Sequence, residues 1–319
     1  MATDRSGKLY VSTSRQPRSN GVSGLNDLQL IELEALRMLS QAAEMAVARR
    51  DKLAVEYKGQ GVSNPVTQVD REIQQLFAES IRTQFPDHGM LGEEGGGFGH
   101  DADYQWVVDP IDGTINYLKG LPLYGISVGV LYRRVPVVGA IWLGTGELLH
   151  ARRGGMAHVR DQPLHPREVP GSGLLGVRHP GFRTTPKMAG TGLRIMDTRS
   201  TGSIAYDLAA VTLGWMDFAL LRAPKIWDVA GGVVILEAAG GRALWYDRRR
   251  GKWLPLDGFL VLRGQRLESW SRPMLVGRRD VLEQMARCVI PSYPPALLTS
   301  LREGIRAARQ AYRRCRTAP

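Results

Sequence analysis

Residues 106–116 read WVVDPIDGTIN. Trp106, Val107 and Val108 have the β-branched and aromatic character of a strand inside a protein. Pro110 and Gly113 oppose strand continuation. The reading therefore expects the strand to stop at Val108, with Asp109 and Asp112 leaving the sheet together on a constrained loop. Two carboxylates three residues apart beside a buried strand repel each other unless a proton or a cation stands between them. The carbonyl of Ile111, taken out of sheet pairing by the turn, is a further oxygen donor.

Two other acidic positions have matching chemistry. Glu93 lies in LGEEGGG (91–97), and Asp228 opens a helical pattern in KIWDVAGG (225–232). Taken alone, paired glutamates read as solvated surface and an aspartate at a helix start as a cap. Taken with Asp109 and Asp112, they make an all-oxygen donor set suited to Mg²⁺, which also keeps waters and substrate phosphate in its shell. The six histidines are scattered and none has zinc-ligand spacing. Thr114, directly after Gly113, offers a hydroxyl to orient a water whose proton Glu93 would take, the logic of metal-assisted hydrolysis.

Outward from these motifs, the 319-residue chain is 43% hydrophobic and 23% charged, a globular composition. No apolar run approaches the ~20 residues of a membrane span. Residues 1–24 are polar, read as a mobile leader and lack a secretory h-region, so a cytoplasmic location is expected. The two cysteines, Cys288 and Cys315, make a poor disulfide framework. The net charge of +11 is concentrated at Arg248–Arg250 and in six arginines from Leu301 onward. No nucleic-acid-binding motif accompanies it, so a solvated basic surface is expected.

Apolar positions from Leu28 to Val47 recur at helical spacing, and a second helix is expected after Asp70, ending before Pro86. ISVGVLYRR and VPVVGAIWL form an expected hairpin, and GELLHARR a further strand. SIAYDLAAVTLG and DVAGGVVILEAAGG read as helices flanking a strand in MDFALL. The expected organisation is an α+β lobe over 25–155 with an antiparallel-rich sheet, an α/β lobe over 156–290, and a basic helical tail over 291–319.

GEE at 92–94, WVVDPIDGTIN and IWDVAGG at 226–232, with NPVTQVD ending at Asp70, resemble the inositol monophosphatase family in order and spacing, over roughly residues 30–285. The resemblance implies a layered αβαβα sandwich of the inositol monophosphatase/fructose-1,6-bisphosphatase type, a Li⁺-sensitive phosphomonoesterase with two or three Mg²⁺ ions per active site, and a homodimer. It implies Glu93, Asp109, the Ile111 carbonyl, Asp112 and Asp228 as metal ligands, and Glu93 and Thr114 as activators of water. Asp70 would take a catalytic part just outside the ligands or on a third ion. The amides of Gly113 and Thr114 would hold phosphate, and Lys58 would stand near it. Gly202, Ser203 and Ile204, in RSTGSIAYDLA, would join Asp112 in lining the alcohol subsite.

One departure bears on specificity. Inositol-hydrolysing members carry a glutamate seven residues before the last metal-binding aspartate; here Leu221 takes that place in the expected substrate site. A leucine cannot make those hydrogen bonds, so inositol phosphate is disfavoured. Sugar bisphosphates, histidinol phosphate and 3′-phosphoadenosine 5′-phosphate remain alternatives. A D-x-D-G-T aspartyl-phosphate phosphatase fits worse, because this loop is one residue longer. A non-catalytic polyanion-binding member is the rival of another class.

Overall fold

The computed structural model describes residues 27–50, 55–57, 65–167, 173–184, 194–261 and 265–292. The polar leader, Lys58 and the basic tail from Pro294 lie outside the described residues.

Helix α1 (Asp27–Arg49) buries Ile31, Ala35, Met38, Leu39, Ala42 and Ala46, the stripe its periodicity marks. A short ribbon, β1 (Val55–Tyr57) with β2 (Pro65–Thr67), leads into α2 (Gln68–Gln84). This second helix starts before Asp70, so the aspartate sits in its first turn instead of preceding it.

Seven strands follow: β3 (Gly89–Gly92), β4 (Tyr104–Asp112), β5 (Gly125–Tyr132), β6 (Val135–Leu143), β7 (Leu148–Arg152), β8 (His158–Val159) and β9 (Gln162–Pro163). They are neighbours in that order, antiparallel throughout except for the parallel β3–β4 pair. The expectation that the strand stops at Val108 is overturned, because β4 runs on to Asp112. Asp109 pairs with Ser127 and Asp112 with Gly125, so Pro110 and Ile111 together oppose Ile126 alone. That is a β-bulge, where a residue without an N–H is tolerated because the ladder is already broken. Helix α3 (Thr114–Leu118) departs directly from it.

The second sheet is built from β10 (Leu174–Arg178), β12 (Ile195–Arg199), β13 (Phe218–Leu221), β14 (Arg242–Asp247), β15 (Lys252–Pro255) and β16 (Met274–Gly277), in the order β12-β10-β13-β16-β14-β15. Its β12-β10-β13 half is parallel and the remainder antiparallel. Strand β11 (Phe182–Thr184) pairs separately with β17 (Val289–Pro291), which follows α6 (Arg279–Cys288).

Helices α4 (Ile204–Thr212) and α5 (Ile226–Ala238) lie between the sheets. With α1 and α2 on the outer face of the first sheet and α6 on the outer face of the second, the layers read αβαβα. The middle core joins Val107 and Leu131 of the first sheet to Ala219, Leu221 and Met274 of the second through Val229, Ala230 and Val233 of α5. Glycines let α5 lie very close to the first sheet: a Cβ on Gly129 would come within 2.6 Å of Ala230, and one on Gly139 within 2.1 Å of the Gly231 carbonyl. On the outer face, Trp106 is fully buried and donates its indole N–H to His88 Nδ1 at 3.1 Å. Among the described residues, no helix is long and apolar enough to cross a membrane.

Candidate active site

The bulge in β4 decides where the acids go. It lets Asp109 and Asp112, three residues apart, both remain at the sheet end while the chain turns into α3. Gly113 makes that turn at φ 92°, in left-handed space that favours glycine, and an added Cβ would meet the Ser203 Cβ at 2.9 Å and the Leu123 carbonyl at 3.1 Å. The Thr114 hydroxyl donates to the Ile111 carbonyl at 3.1 Å, so those two predicted groups meet at one point.

Glu93 arrives from the neighbouring parallel strand. Gly92 is paired with Val108, and the Glu93 N–H donates to the Val108 carbonyl at 3.3 Å, which sets the glutamate beside Asp109. The turn carrying it is held by Gln74 on α2, whose amide oxygen accepts the Glu94 N–H at 3.0 Å and whose amide nitrogen donates to the Gly95 carbonyl. Asp228 comes from across the interlayer, in the first turn of α5, where its carboxylate accepts the Lys225 N–H at 2.7 Å.

These four acids act on one another. Asp109 is 1% exposed, and its Oδ1 has no hydrogen-bond partner. Burial first, then the charges of Glu93, Asp112 and Asp228, push its carboxyl well above the ordinary range. Burial, then Asp112, does the same to Asp228. Asp112 is pushed up to about 7 by burial, against the lowering effect of hydrogen bonds from the Ala205 N–H and the Ser203 hydroxyl, the latter at 3.0 Å. A buried carboxylate oxygen without a donor, among like charges, calls for a cation. The donors are all oxygens, which suits Mg²⁺ in kind. Among the described residues no group of three or more His, Cys, Asp or Glu side chains is arranged to hold a metal ion as it stands, and Asp112 and Asp228 each have an oxygen engaged by a backbone N–H.

The remaining predicted residues divide. Asp70 is buried in α2, and its charge is felt by Tyr117 of α3 rather than standing foremost among the clustered acids. Gly202 sits at φ 88° against the Asn116 amide, and Ile204 opens α4. Ser203 is 2% exposed, and its hydroxyl donates to Asp112 and accepts the Tyr206 N–H at 3.1 Å. It therefore fixes Asp112 and caps α4. Leu221 is fully buried in the middle core at the end of β13, opposite Met274.

Other supporting groups were missed. The Asn116 amide ties the site's two loops together, donating to the carbonyls of Leu123 at 2.6 Å and Thr201 at 2.8 Å. Asp207, wholly buried on α4, receives the Thr201 hydroxyl and faces His179 Nε2 at 3.3 Å. Burial raises its carboxyl, against those two partners. The signal available for both Gln74 and Asp207 was a polar side chain on an otherwise apolar helix face.

The family model of the inositol monophosphatase family matches residues 27–272. The chain is similar to the Nus factor SuhB of Pasteurella multocida, 32% identical over 253 residues that cover 76% of this chain and 93% of that one. It is also 32% identical to the inositol-1-monophosphatase of Rhizobium meliloti over 215 residues, covering 64% of this chain and 79% of the relative. Among solved structures, an IMPase/NADP phosphatase complexed with Mg²⁺ and phosphate superposes with a TM-score of 0.66 at 21% identity, over 82% of this chain and 95% of the other. At that identity the likeness speaks for the fold.

Proposed function

This chain belongs to the inositol monophosphatase family, and from that membership and the acid cluster at the end of β4 we propose that it is a Mg²⁺-dependent phosphomonoesterase acting on a small phosphorylated alcohol. The observation that carries the reading is the mutually interacting quartet of Glu93, Asp109, Asp112 and Asp228 around a buried Asp109 with an unpartnered oxygen. Such a quartet is unfavourable for the empty protein and makes sense as a cation seat.

Glu93, Asp109, the Ile111 carbonyl, Asp112 and Asp228 would hold the metal. When bound, Mg²⁺ supplies the positive charge that keeps these carboxylates ionised, eases deprotonation of a water and neutralises the phosphate. The chain does the rest. Glu93 accepts the proton of the attacking water, and Thr114, anchored on the Ile111 carbonyl, orients it. The N–H groups of Gly113 and Thr114 are offered to phosphate oxygens at the glycine turn. Ser203 and Ala205 fix the rotamer of Asp112, so its second oxygen is presented to the site.

The alcohol is not assigned to inositol. Position 221 contributes no carboxylate, and its leucine faces the core. We infer that another phosphate ester is turned over better than inositol monophosphate. The second reading, a polyanion-binding protein without catalysis, draws on the +11 charge. Phosphate release from p-nitrophenyl phosphate separates the two. We expect hydrolysis with Mg²⁺, none with EDTA, and a loss of at least a hundredfold in Asp109→Asn. An inert protein with Mg²⁺ across a panel of phosphate esters removes the enzyme reading.

A further inference from the structure

At the far end of α5 from Asp228 lies a second charged site. A cavity of about 380 Å³ opens between the two sheets, against the last turns of that helix. Arginines reach it from three separate places: Arg152 at the end of β7 with Arg153 in the turn after it, Arg242 at the first residue of β14, and Arg279 at the first residue of α6. Arg152 is already paired with Glu32 of α1. Arg153, Arg242 and Arg279 have no carboxylate within ion-pair distance among the described residues.

Two acids, Glu237 and Asp257, share the lining. Glu237 is surrounded by the fields of Arg242, Arg153 and Arg279, yet none of them closes on it. Three guanidiniums without an ion-pair partner among the described residues, beside two carboxylates, leave an excess of positive charge in a partly enclosed space. Guanidinium forks match phosphate oxygens two at a time. The volume lies within the range of small-molecule sites, and is far too small for a nucleic-acid duplex. Glu237 and Asp257 would accept hydrogen bonds from hydroxyls of the same ligand.

We propose that this interlayer cavity is a binding site for a small anion carrying two phosphate groups, held by Arg153, Arg242 and Arg279. It is separate from the acid quartet: Asp228 and Glu237 are nine residues apart on α5, about 14 Å along the helix axis at ~1.5 Å per residue.

Calorimetric titration of the full chain with inorganic pyrophosphate, in EDTA at low salt, tests the proposal independently of the phosphatase reading. Without a cation the acid quartet repels pyrophosphate, so the phosphatase site does not contribute to the binding. One equivalent should bind, more weakly as salt rises. Arg242→Ala and Arg279→Ala should each weaken binding roughly ten- to a hundredfold, the worth of one charge-assisted contact. Arg153→Ala, in an exposed turn, should do the same without risk to the fold. Hydrolysis of p-nitrophenyl phosphate with Mg²⁺ should stay unchanged in all three. Absence of binding overturns the proposal. So does binding undiminished in the three variants, which would assign it to the arginines beyond residue 300.

Discussion

Asp112 holds a proton that an exposed aspartate would release. Its pKa rises from 3.8 to about 7 through burial, only partly offset by Ala205 and Ser203. A raised folded-state value means that stability is complete below the unfolded pKa and is lost as pH climbs through the folded one. The cation-free protein should therefore lose thermal stability between about pH 4 and pH 7, with Asp109 and Asp228 displaced in the same direction. Differential scanning with EDTA should show that decline, and saturating Mg²⁺ should reverse it by binding the ionised site. Asp112→Asn should flatten the cation-free profile and abolish hydrolysis. An unchanged slope in this variant would remove the acid from the role given to it. Leu221 behaves differently under substitution. Because it is packed in the middle core, Leu221→Glu buries an unpaired carboxylate and should lower stability by about 3 kcal/mol or more, read as a shift in urea midpoint. A soluble, equally stable variant with a changed substrate preference would show that this side chain turns toward the site after all.

Helix α5 transmits the position of Asp228 to the rest of the active site, and two glycine contacts set its height. The Gly139 Cα faces the Gly231 carbonyl so closely that a Cβ would stand 2.1 Å away. Backbone cannot yield as a side chain tip would, so Gly139→Val should push α5 off the first sheet. An overpacked contact costs typically 1–3 kcal/mol. The larger effect should be on kcat, because Asp228 rides on the displaced helix while Glu93, Asp109 and Asp112 stay on the sheet. Retention of full kcat with Mg²⁺ in a folded Gly139→Val protein would show that α5 need not be so close. At this scale the sequence was partly legible. Periodicity located α1, α2, α4 and α5, and the hairpin β5–β6 followed from two β-rich runs around a short basic turn. The course of β4 was not legible. Pro110 and Gly113 are turn signals in isolation, and only the partner strand, with Ile126 opposite two residues, makes them a bulge. The family resemblance of RSTGSIAYDLA put Ser203 near the site; that its hydroxyl reaches Asp112 depends on where α4 packs, which the sequence does not show.

Across the whole molecule, the acids of the site come from elements far apart in the chain, from Glu93 to Asp228, and α5 is the element that closes the gap. It packs on β4–β7 of one sheet and on β14 of the other. The hydrophobic core that surrounds it contains residues of both sheets, including Val107, Leu131, Ala219 and Met274. Neither sheet therefore owns a complete core. A chain ending at residue 167 would keep all seven strands of the first sheet but would uncover the face on which α5 lies, where Gly129, Gly139 and Ile141 are buried in the full protein. An exposed apolar face of that extent is an association surface. We expect the full chain to unfold in urea as one transition, with tryptophan fluorescence and far-ultraviolet circular dichroism coincident. The chain ending at residue 167 should be aggregated or lack a cooperative transition. Two resolved transitions in the full chain, or a monomeric and cooperatively folding fragment, would mean that the first sheet builds its core without α5, and the acid quartet would then assemble by docking of two bodies instead of by folding of one.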